Sequence, residues 1–444
     1  MKNLFRIIPP VIAILILTGC KTGQKESFDG DWLTIAIETE RFIKEAKYES
    51  PVGTCWRVMP DSLNSAADLS LYSGVPGIVL FYLELYSATN NPAYLKEAEA
   101  GADFLIASIK DEVYEAEEVG LYTGLSGMGY ALLEIYRITN KPIYKTTVLQ
   151  TVELLEQSAA RSESGIIWGG ITDIVYGASG IGLYLQYVAD ALDYPGADSL
   201  AIMTANGLID LAIISPAGWR WKYMPSYERF MDNFSHGTAG VGYFLSETFR
   251  RTGDKKFLEG ALGSAGILDS LENDKGYIPH HCPGGEDLYY LNWCHGPAGT
   301  GRLYYSLYEA SKDEKWLEKL TFSADHLMQE GLHEHEAPGY WNNYGKCCGS
   351  VSLAEYYLWL FEITENVKYL EYSHIMTDQL LSHSTKENGY LKWVHAENRT
   401  SPENIAAQTG LMQGSAGIGL WFLQLHAFQD DKKPLIRLPD KPDR

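Results

Sequence analysis

The chain is 444 residues long, 45% hydrophobic and 21% charged, with 42 glycines and a formal net charge of −21. Such an anionic surface repels phosphate backbones and anionic lipid, which excludes nucleic-acid binding as a main activity. The composition is that of neither a disordered nor a fibrous chain, and six cysteines in this length are too few for a disulfide scaffold.

The N-terminus comes first. Met1–Arg6 carries Lys2 and Arg6, Val11–Leu17 is an unbroken apolar run, and Leu17-Thr18-Gly19-Cys20 follows. A short apolar stretch with a cationic flank that ends in small residues is an export signal, too short for a permanent span. The tetrapeptide resembles a bacterial lipobox. Residues 1–19 are therefore expected to be a lipoprotein signal peptide, Cys20 the acylated mature N-terminus, and 20–30 a polar tether. The expected location is the periplasmic or outer-membrane face of a bacterial membrane, with lipid as the only membrane contact.

A glycine pattern then recurs along the mature chain. It reads Gly74-Val-Pro-Gly77, Gly124-Leu-Ser-Gly127-Met-Gly129, Gly177-Ala-Ser-Gly180-Ile-Gly182 and Gly237-Thr-Ala-Gly240-Val-Gly242. Gly296-Pro-Ala-Gly299-Thr-Gly301, a degenerate Gly349-Ser-Val-Ser352 and Gly414-Ser-Ala-Gly417-Ile-Gly419 complete the set. The first glycines are 50, 53, 60, 59, 53 and 65 residues apart. Each motif opens an apolar-aromatic helical run, such as Tyr130–Tyr136. A turn of the type Thr89-Asn-Asn-Pro92 and a more charged amphipathic helix follow.

Two helices per period mark a helical-hairpin repeat. Helices rich in Gly, Ala, Leu and Tyr must be buried on most sides, whereas their charged partners need one buried stripe. Seven inner and seven outer helices closing into an all-α (α/α)7 toroid satisfy both demands without exposed ends. The toroid is expected over 31–430 as one domain, with 431–444 a polar C-terminal tail. The long loops before each glycine motif carry Trp168, Trp219, Trp221, Trp341 and Trp393, and they gather at the end where inner helices begin. That end should hold the site.

Counting back from the first glycine of each repeat gives a register. One residue before it stand His236, His295 and Cys348; two before it stand Cys294 and Cys347. Cys294, Cys347 and Cys348 thus reach the mouth of the ring from adjacent repeats. Three soft ligands with room for a fourth suit tetrahedral zinc with an open position. Buried cysteines packed against glycine, or a vicinal Cys347–Cys348 disulfide, are the competing readings.

Here the chain resembles a known family. Trp293-Cys294-His295-Gly296-Pro-Ala-Gly299 and Cys347-Cys348-Gly349 are similar to the zinc motifs of lanthionine synthetase C-like (LanC-like) proteins. Asp173-Ile-Val-Tyr-Gly177 and Ser235-His236-Gly237 are similar to that family's acid/base motifs. The resemblance covers roughly residues 30–430 in family order. It implies an (α/α)7 toroid with one Zn2+ in its mouth. It also implies addition of a thiol, from a peptide cysteine or glutathione, to dehydroalanine or dehydrobutyrine, forming thioether links. The chain departs from the pattern in having Cys348 where the third ligand is usually His, Tyr290 where bacterial cyclases often carry Arg, and His295 after the first cysteine. Family members are ordinarily cytoplasmic, unlike the location expected here.

In this chemistry His236 is placed to protonate the enolate left by thiol addition, His295 is a second donor, and Asp173 orients or deprotonates. His280-His281-Cys282 and His333-Glu-His335 read as surface loops, and Arg220, Lys222 and Arg229 as solvated charges. The expected partner is a dehydrated peptide or a thiol substrate, and the chain is expected to be a monomer. Two other functions compete: an exported carbohydrate-active hydrolase or lyase using the tryptophans as stacking platforms, and a lipid-anchored peptide-binding protein without catalysis.

Overall fold

A computed structural model describes residues 30–62 and 66–442; the expected export signal and Cys20 lie outside the described residues. Fourteen α-helices occur among the described residues, and they alternate between two roles. The inner helices are α2 (Val75–Thr89), α4 (Leu125–Thr139), α6 (Ala178–Leu192), α8 (Thr238–Thr252), α10 (Pro297–Ser311), α12 (Ser350–Thr364) and α14 (Ser415–Gln429), each of 15 residues. The outer helices are α1 (Trp32–Glu45), α3 (Pro92–Ser108), α5 (Pro142–Ser158), α7 (Pro195–Asp210), α9 (Lys255–Leu271), α11 (Lys315–Gln329) and α13 (Val367–Ser382). Inner helices are buried around their circumference; in α4 every residue from Leu125 to Ile135 is buried.

The ring closes. Each inner helix packs on the next, α14 returns to α2, and α1 supplies the outer partner of α14. Closure is also written in the main chain, two residues before each repeat glycine. Tyr72 N–H bonds to Tyr122 O, Tyr122 N–H to Val175 O, Ile174 N–H to Ser235 O and Ser235 N–H to Cys294 O. Cys294 N–H bonds to Cys347 O, Cys347 N–H to Met412 O and Met412 N–H back to Tyr72 O, all within 2.9–3.3 Å. This cycle is a belt at the N-terminal ends of the inner helices.

The second glycine of the motif explains the tightness. A Cβ on Gly417 would fall 1.8 Å from Leu411 O and 2.8 Å from Lys346 Cδ of the preceding repeat. The degenerate sixth motif has Ser352 at this place, and its hydroxyl accepts from Trp293 N–H at 2.7 Å. The loss of glycine there is thus compensated by a hydrogen bond between repeats five and six.

Three expectations need correction. Trp168, Trp221 and Trp393 are buried, and their indole N–H groups donate to Leu155 O, Leu208 O and Leu380 O at 3.0, 2.7 and 2.7 Å. They donate to carbonyls in the last turns of outer helices, where intrahelical donors run short, and Trp341 is likewise buried with its N–H on Ala396 O. These rings cannot stack on a sugar. Arg220 is not a solvated charge either: it is paired with Asp232 and lies 3.9 Å over the Phe230 ring.

The third concerns the C-terminal tail, which is threaded into the ring. Glu84 accepts from the N–H groups of Leu435 and Ile436 at 3.0 and 2.7 Å. Asp440 is fully buried and accepts from Tyr122 Oη at 3.0 Å, Trp293 Nε1 at 3.2 Å and Arg302 at 2.6 Å. A cavity of about 80 Å³ remains beneath the belt, lined by Trp293, Arg302, Lys346, Glu355, Leu438 and Lys441 among others. The segment is polar because it carries the partners of buried inner-helix groups. Replacing Asp440 with Ala strands Arg302 and two further donors, so it should lower unfolding free energy by about 3 kcal/mol. Denaturant titration checks this; a loss below ~1 kcal/mol would mean the segment is only loosely held.

Candidate metal centre

The belt brings three thiols together. Cys294 and Cys347 are adjacent links, and Cys348 follows in the next position. Cys294 Sγ lies 3.5 Å from Cys348 Sγ, and Cys348 Sγ lies 3.0 Å from Cys347 Sγ. All three sulfurs fall within 4.8 Å of one another, and all three residues are buried free thiols. A tetrahedral zinc with bonds of ~2.3 Å places its sulfurs ~3.8 Å apart, inside the observed spread. The donor set therefore fits one ion and leaves the mouth side for a fourth ligand. Burial pushes the Cys294 thiol well up. Held as thiolates, three sulfurs packed this closely would need a cation, with a smaller contribution from the N-termini of α10 and α12.

Neighbours hold the thiols in place. Asn292 accepts from Cys294 Sγ at 2.9 Å and donates to Cys348 O at 3.0 Å. Gln413, from repeat seven, donates to Tyr72 Oη at 2.8 Å and approaches Cys348 Sγ at 3.7 Å. Tyr72 and Gln413 occupy the same register positions as the cysteines, so the glycine offset that found the cysteines would also have found them.

Beside the thiols lies an Asp–His pair. Asp173 is fully buried, and its Oδ2 accepts from His236 Nδ1 at 2.8 Å while Oδ1 accepts from Tyr176 N–H at 3.0 Å. Burial pushes the Asp173 carboxyl up, and the His236 bond opposes this. With the proton of its Nδ1 held by Asp173, His236 keeps Nε2 for the mouth. The His236 ring lies 5.9 Å from Tyr176, 5.4 Å from Tyr223 and 5.5 Å from His295. His295 is buried, and burial pushes its pKa well below the ordinary value.

His280 was expected on the surface, and the structure overturns that. It is half-buried with its ring 4.3 Å from both His295 and Tyr290. Tyr290 in turn accepts from Arg399 Nε at 3.3 Å. His280 and Arg399 carry no register signal because they sit in loops of irregular length, and only the folded chain brings them here.

A seven-repeat helical toroid with a three-thiol cluster and an Asp–His pair in its mouth defines a narrow class of protein. A model of the lanthionine synthetase C-like protein family matches residues 65–438, and the chain belongs to this family. It is 21% identical to the glutathione S-transferase LANCL1 of Danio rerio over 349 residues, covering 75% of this chain and 80% of that protein. Nisin cyclase superposes with a TM-score of 0.61 at 19% identity, covering 81% of this chain and 89% of the cyclase. The Lin0763 protein of Listeria innocua does so with a TM-score of 0.50 at 14% identity over 90% and 97% of the two chains. At these identities the two structures establish the shared fold alone.

The half-buried His280 and the buried His395 have pKa values pushed down to about 4, chiefly by burial. Their ordinary value is about 6.5, so as pH falls the unfolded chain takes up these protons before the folded one does. The stability they contribute is full above about pH 6.5 and is lost as pH falls toward 4. The stability gap between wild type and His395→Gln should therefore narrow across that window. A gap independent of pH would show that His395 takes up its proton as readily in the folded chain as in the unfolded one.

Proposed function

We propose that the protein is a zinc enzyme that joins a thiol to a dehydroamino acid, forming a thioether. The observation that carries this reading is the three-thiol cluster of Cys294, Cys347 and Cys348 beside the Asp173–His236 pair in one mouth. Zinc held by these cysteines would lower the pKa of a substrate thiol, so that sulfur is present as a nucleophile at neutral pH. The chain's residues supply the rest. The C–S bond forms at the β-carbon of the alkene, the π electrons move toward the carbonyl, and the α-carbon then needs a proton. His236 Nε2 faces the mouth and delivers that proton, the one given up by the thiol. Asp173 holds Nδ1 and stabilises the imidazolium that carries the proton between the two steps. The name of the zebrafish relative, a glutathione S-transferase, supports transfer to a thiol. Trp168, Trp221, Trp341 and Trp393 are buried and Asp173 is bonded to His236, which leaves the carbohydrate reading with less support.

The test is thiol consumption with a dehydroalanine peptide, alongside zinc stoichiometry. Wild type should hold one zinc per chain. His236→Asn should keep it while addition falls roughly 10²–10⁴-fold. Cys348→Ala should lose zinc to a chelator that wild type resists, because one ligand of a site worth about 10–16 kcal/mol is gone. Zinc-loaded wild type that consumes no thiol would overturn the enzyme and leave a binding protein.

We further propose that the protein lies outside the cytoplasm, lipidated at Cys20. The cationic start, the Val11–Leu17 run and Leu17–Cys20 support it. Among the described residues no helix is long and apolar enough to cross a membrane. Cys20→Ala should release the protein from the membrane fraction; complete retention there would refute the anchor.

A further inference from the structure

On the repeat-three side of His236 the mouth is walled by tyrosine. Tyr176 holds the register position of repeat three, and Tyr223 and Tyr227 come from the loop that leads into the repeat-four glycine motif. The Tyr176 ring lies 5.9 Å from His236 and 6.3 Å from Tyr223. Tyr223 in turn lies 5.4 Å from His236 and 5.5 Å from Tyr227. All three tyrosines are half-buried. Tyr176 and Tyr223 meet at 55° and Tyr223 and Tyr227 at 71°, so the rings form the walls of a recess rather than a flat stack.

These walls are fastened from behind. Buried Thr172 gives its N–H to Tyr223 O at 3.0 Å and its hydroxyl to Lys222 O at 2.9 Å. Tyr227 N–H closes a turn on Met224 O at 3.2 Å. A Cβ on Gly170 would fall 2.8 Å from Pro225 Cγ, and one on Gly169 would fall 2.7 Å from Ala116 Cβ. The two glycines therefore seat the 224–227 turn beside the short helical turn Ala116–Glu118. A ligand entering such a recess spends little free energy on ordering it.

The recess lies in a negative field. Burial pushes the Tyr223 hydroxyl up to about 12, and the charges of Asp173 and Glu117 add to that. Tyr176 is pushed up by burial, then by Asp173 and Glu397. Both hydroxyls therefore stay neutral at neutral pH, while exposed Glu117 and Glu397 approach the recess from repeats two and seven. Elsewhere the chain covers tyrosine faces with its own cations: Arg57 on Tyr48, Arg137 on Tyr187 and Lys368 on Tyr369. Among the described residues no lysine or arginine stands over Tyr176, Tyr223 or Tyr227, Lys222 of the same loop included. Arg229 and Arg399 are engaged with His281 and Tyr290.

Neutral ring faces beside carboxylates attract a cation on an apolar stem, because the charge meets the rings and the methylenes cover them. We propose that Tyr176, Tyr223 and Tyr227, rimmed by Glu117 and Glu397, form a cage for a lysine or arginine side chain of the peptide substrate, beside the residue that receives a proton from His236. A cage against His236 reads the partner that carries the alkene. The proposal rests on the thiol-addition reading for its purpose, but binding to the cage can be measured without turnover.

The experiment uses the full chain loaded with zinc and two capped tripeptides with a central alanine. One has lysine on both sides of the alanine, and the other has norleucine, which keeps the stem and lacks the charge. Wild type should bind the lysine peptide roughly 3- to 30-fold more tightly, the range for a cation on aromatic faces. Tyr223→Leu should bring that ratio close to one, whereas Tyr223→Phe should keep most of it, because the ring face and not the hydroxyl holds the cation. If Tyr223→Leu fails to fold, the exposed Glu117→Gln replaces it and should lower the ratio. Equal affinities in wild type overturn the cage. So does a ratio that the folded variant leaves unchanged, which would be the pull of the whole anionic surface, or a ratio lost in Tyr223→Phe. The same two peptides with a central dehydroalanine are then offered together with glutathione. A lysine preference in binding with addition to neither peptide refutes the enzyme and leaves the cage. Equal binding with addition to both refutes the cage and leaves the enzyme.

Discussion

A closed cycle of seven main-chain hydrogen bonds underlies the rest of this structure. Each repeat contributes the peptide two residues before its first glycine, with Ile174 and Val175 sharing the third link. A cycle constrains its members more than an open ladder does, because each link must meet two neighbours and return to the start. The bonds use only backbone atoms, so the belt itself places no demand on the side chain at the position. Tyr72, Tyr122, Val175, Ser235, Cys294, Cys347 and Met412 occupy it.

That freedom is where the chemistry is placed. The next position in each repeat faces the mouth, and in five successive repeats it carries Tyr176, His236, His295, Cys348 and Gln413. Neighbouring members of this arc touch or nearly touch: Tyr176 with His236, His236 with His295, and Gln413 with Cys348. The belt therefore works as a rigid mount, and the mouth divides by repeat number. Repeats three and four hold the Asp–His pair, and five and six hold the thiols. Loops from repeats five and seven supply His280, Tyr290 and Arg399. The inner helices all begin here, so their dipoles favour negative charge at the cysteines.

A ring of seven helices encloses an axial space that has to be filled. Residues 434–442 fill it below the belt, and buried charges there come with partners: Asp440 with Arg302, Lys346 with Glu355, and Glu84 with two main-chain N–H groups. Unpaired, any of these would cost several kcal/mol. Trp293 joins this lower layer to the metal centre, since its indole bonds to Asp440 and its main chain leads directly into Cys294.

The sequence by itself determined the toroid and half of its mouth. Its glycine period, the alternation of apolar and amphipathic helices, and the common offset of Cys294, Cys347, Cys348 and His236 from their glycines are one-dimensional patterns. Repetition makes such patterns legible, because equal register becomes equal height in the ring. Asp173, four residues before its glycine, was expected beside His236 as an orienting or deprotonating group, and the structure bonds the two. Only the tertiary structure decided the rest. His280 and Arg399 reach the site from loops whose lengths follow no period, and Trp168, Trp221 and Trp393 turned inward, where their indoles donate to carbonyls in the last turns of outer helices. Asp440 looked like part of a polar tail until folding surrounded it with Tyr122, Trp293 and Arg302. Register fixes a height in a repeating ring, but the path of a loop or a terminus is set by which buried groups lack partners, and that depends on the whole fold.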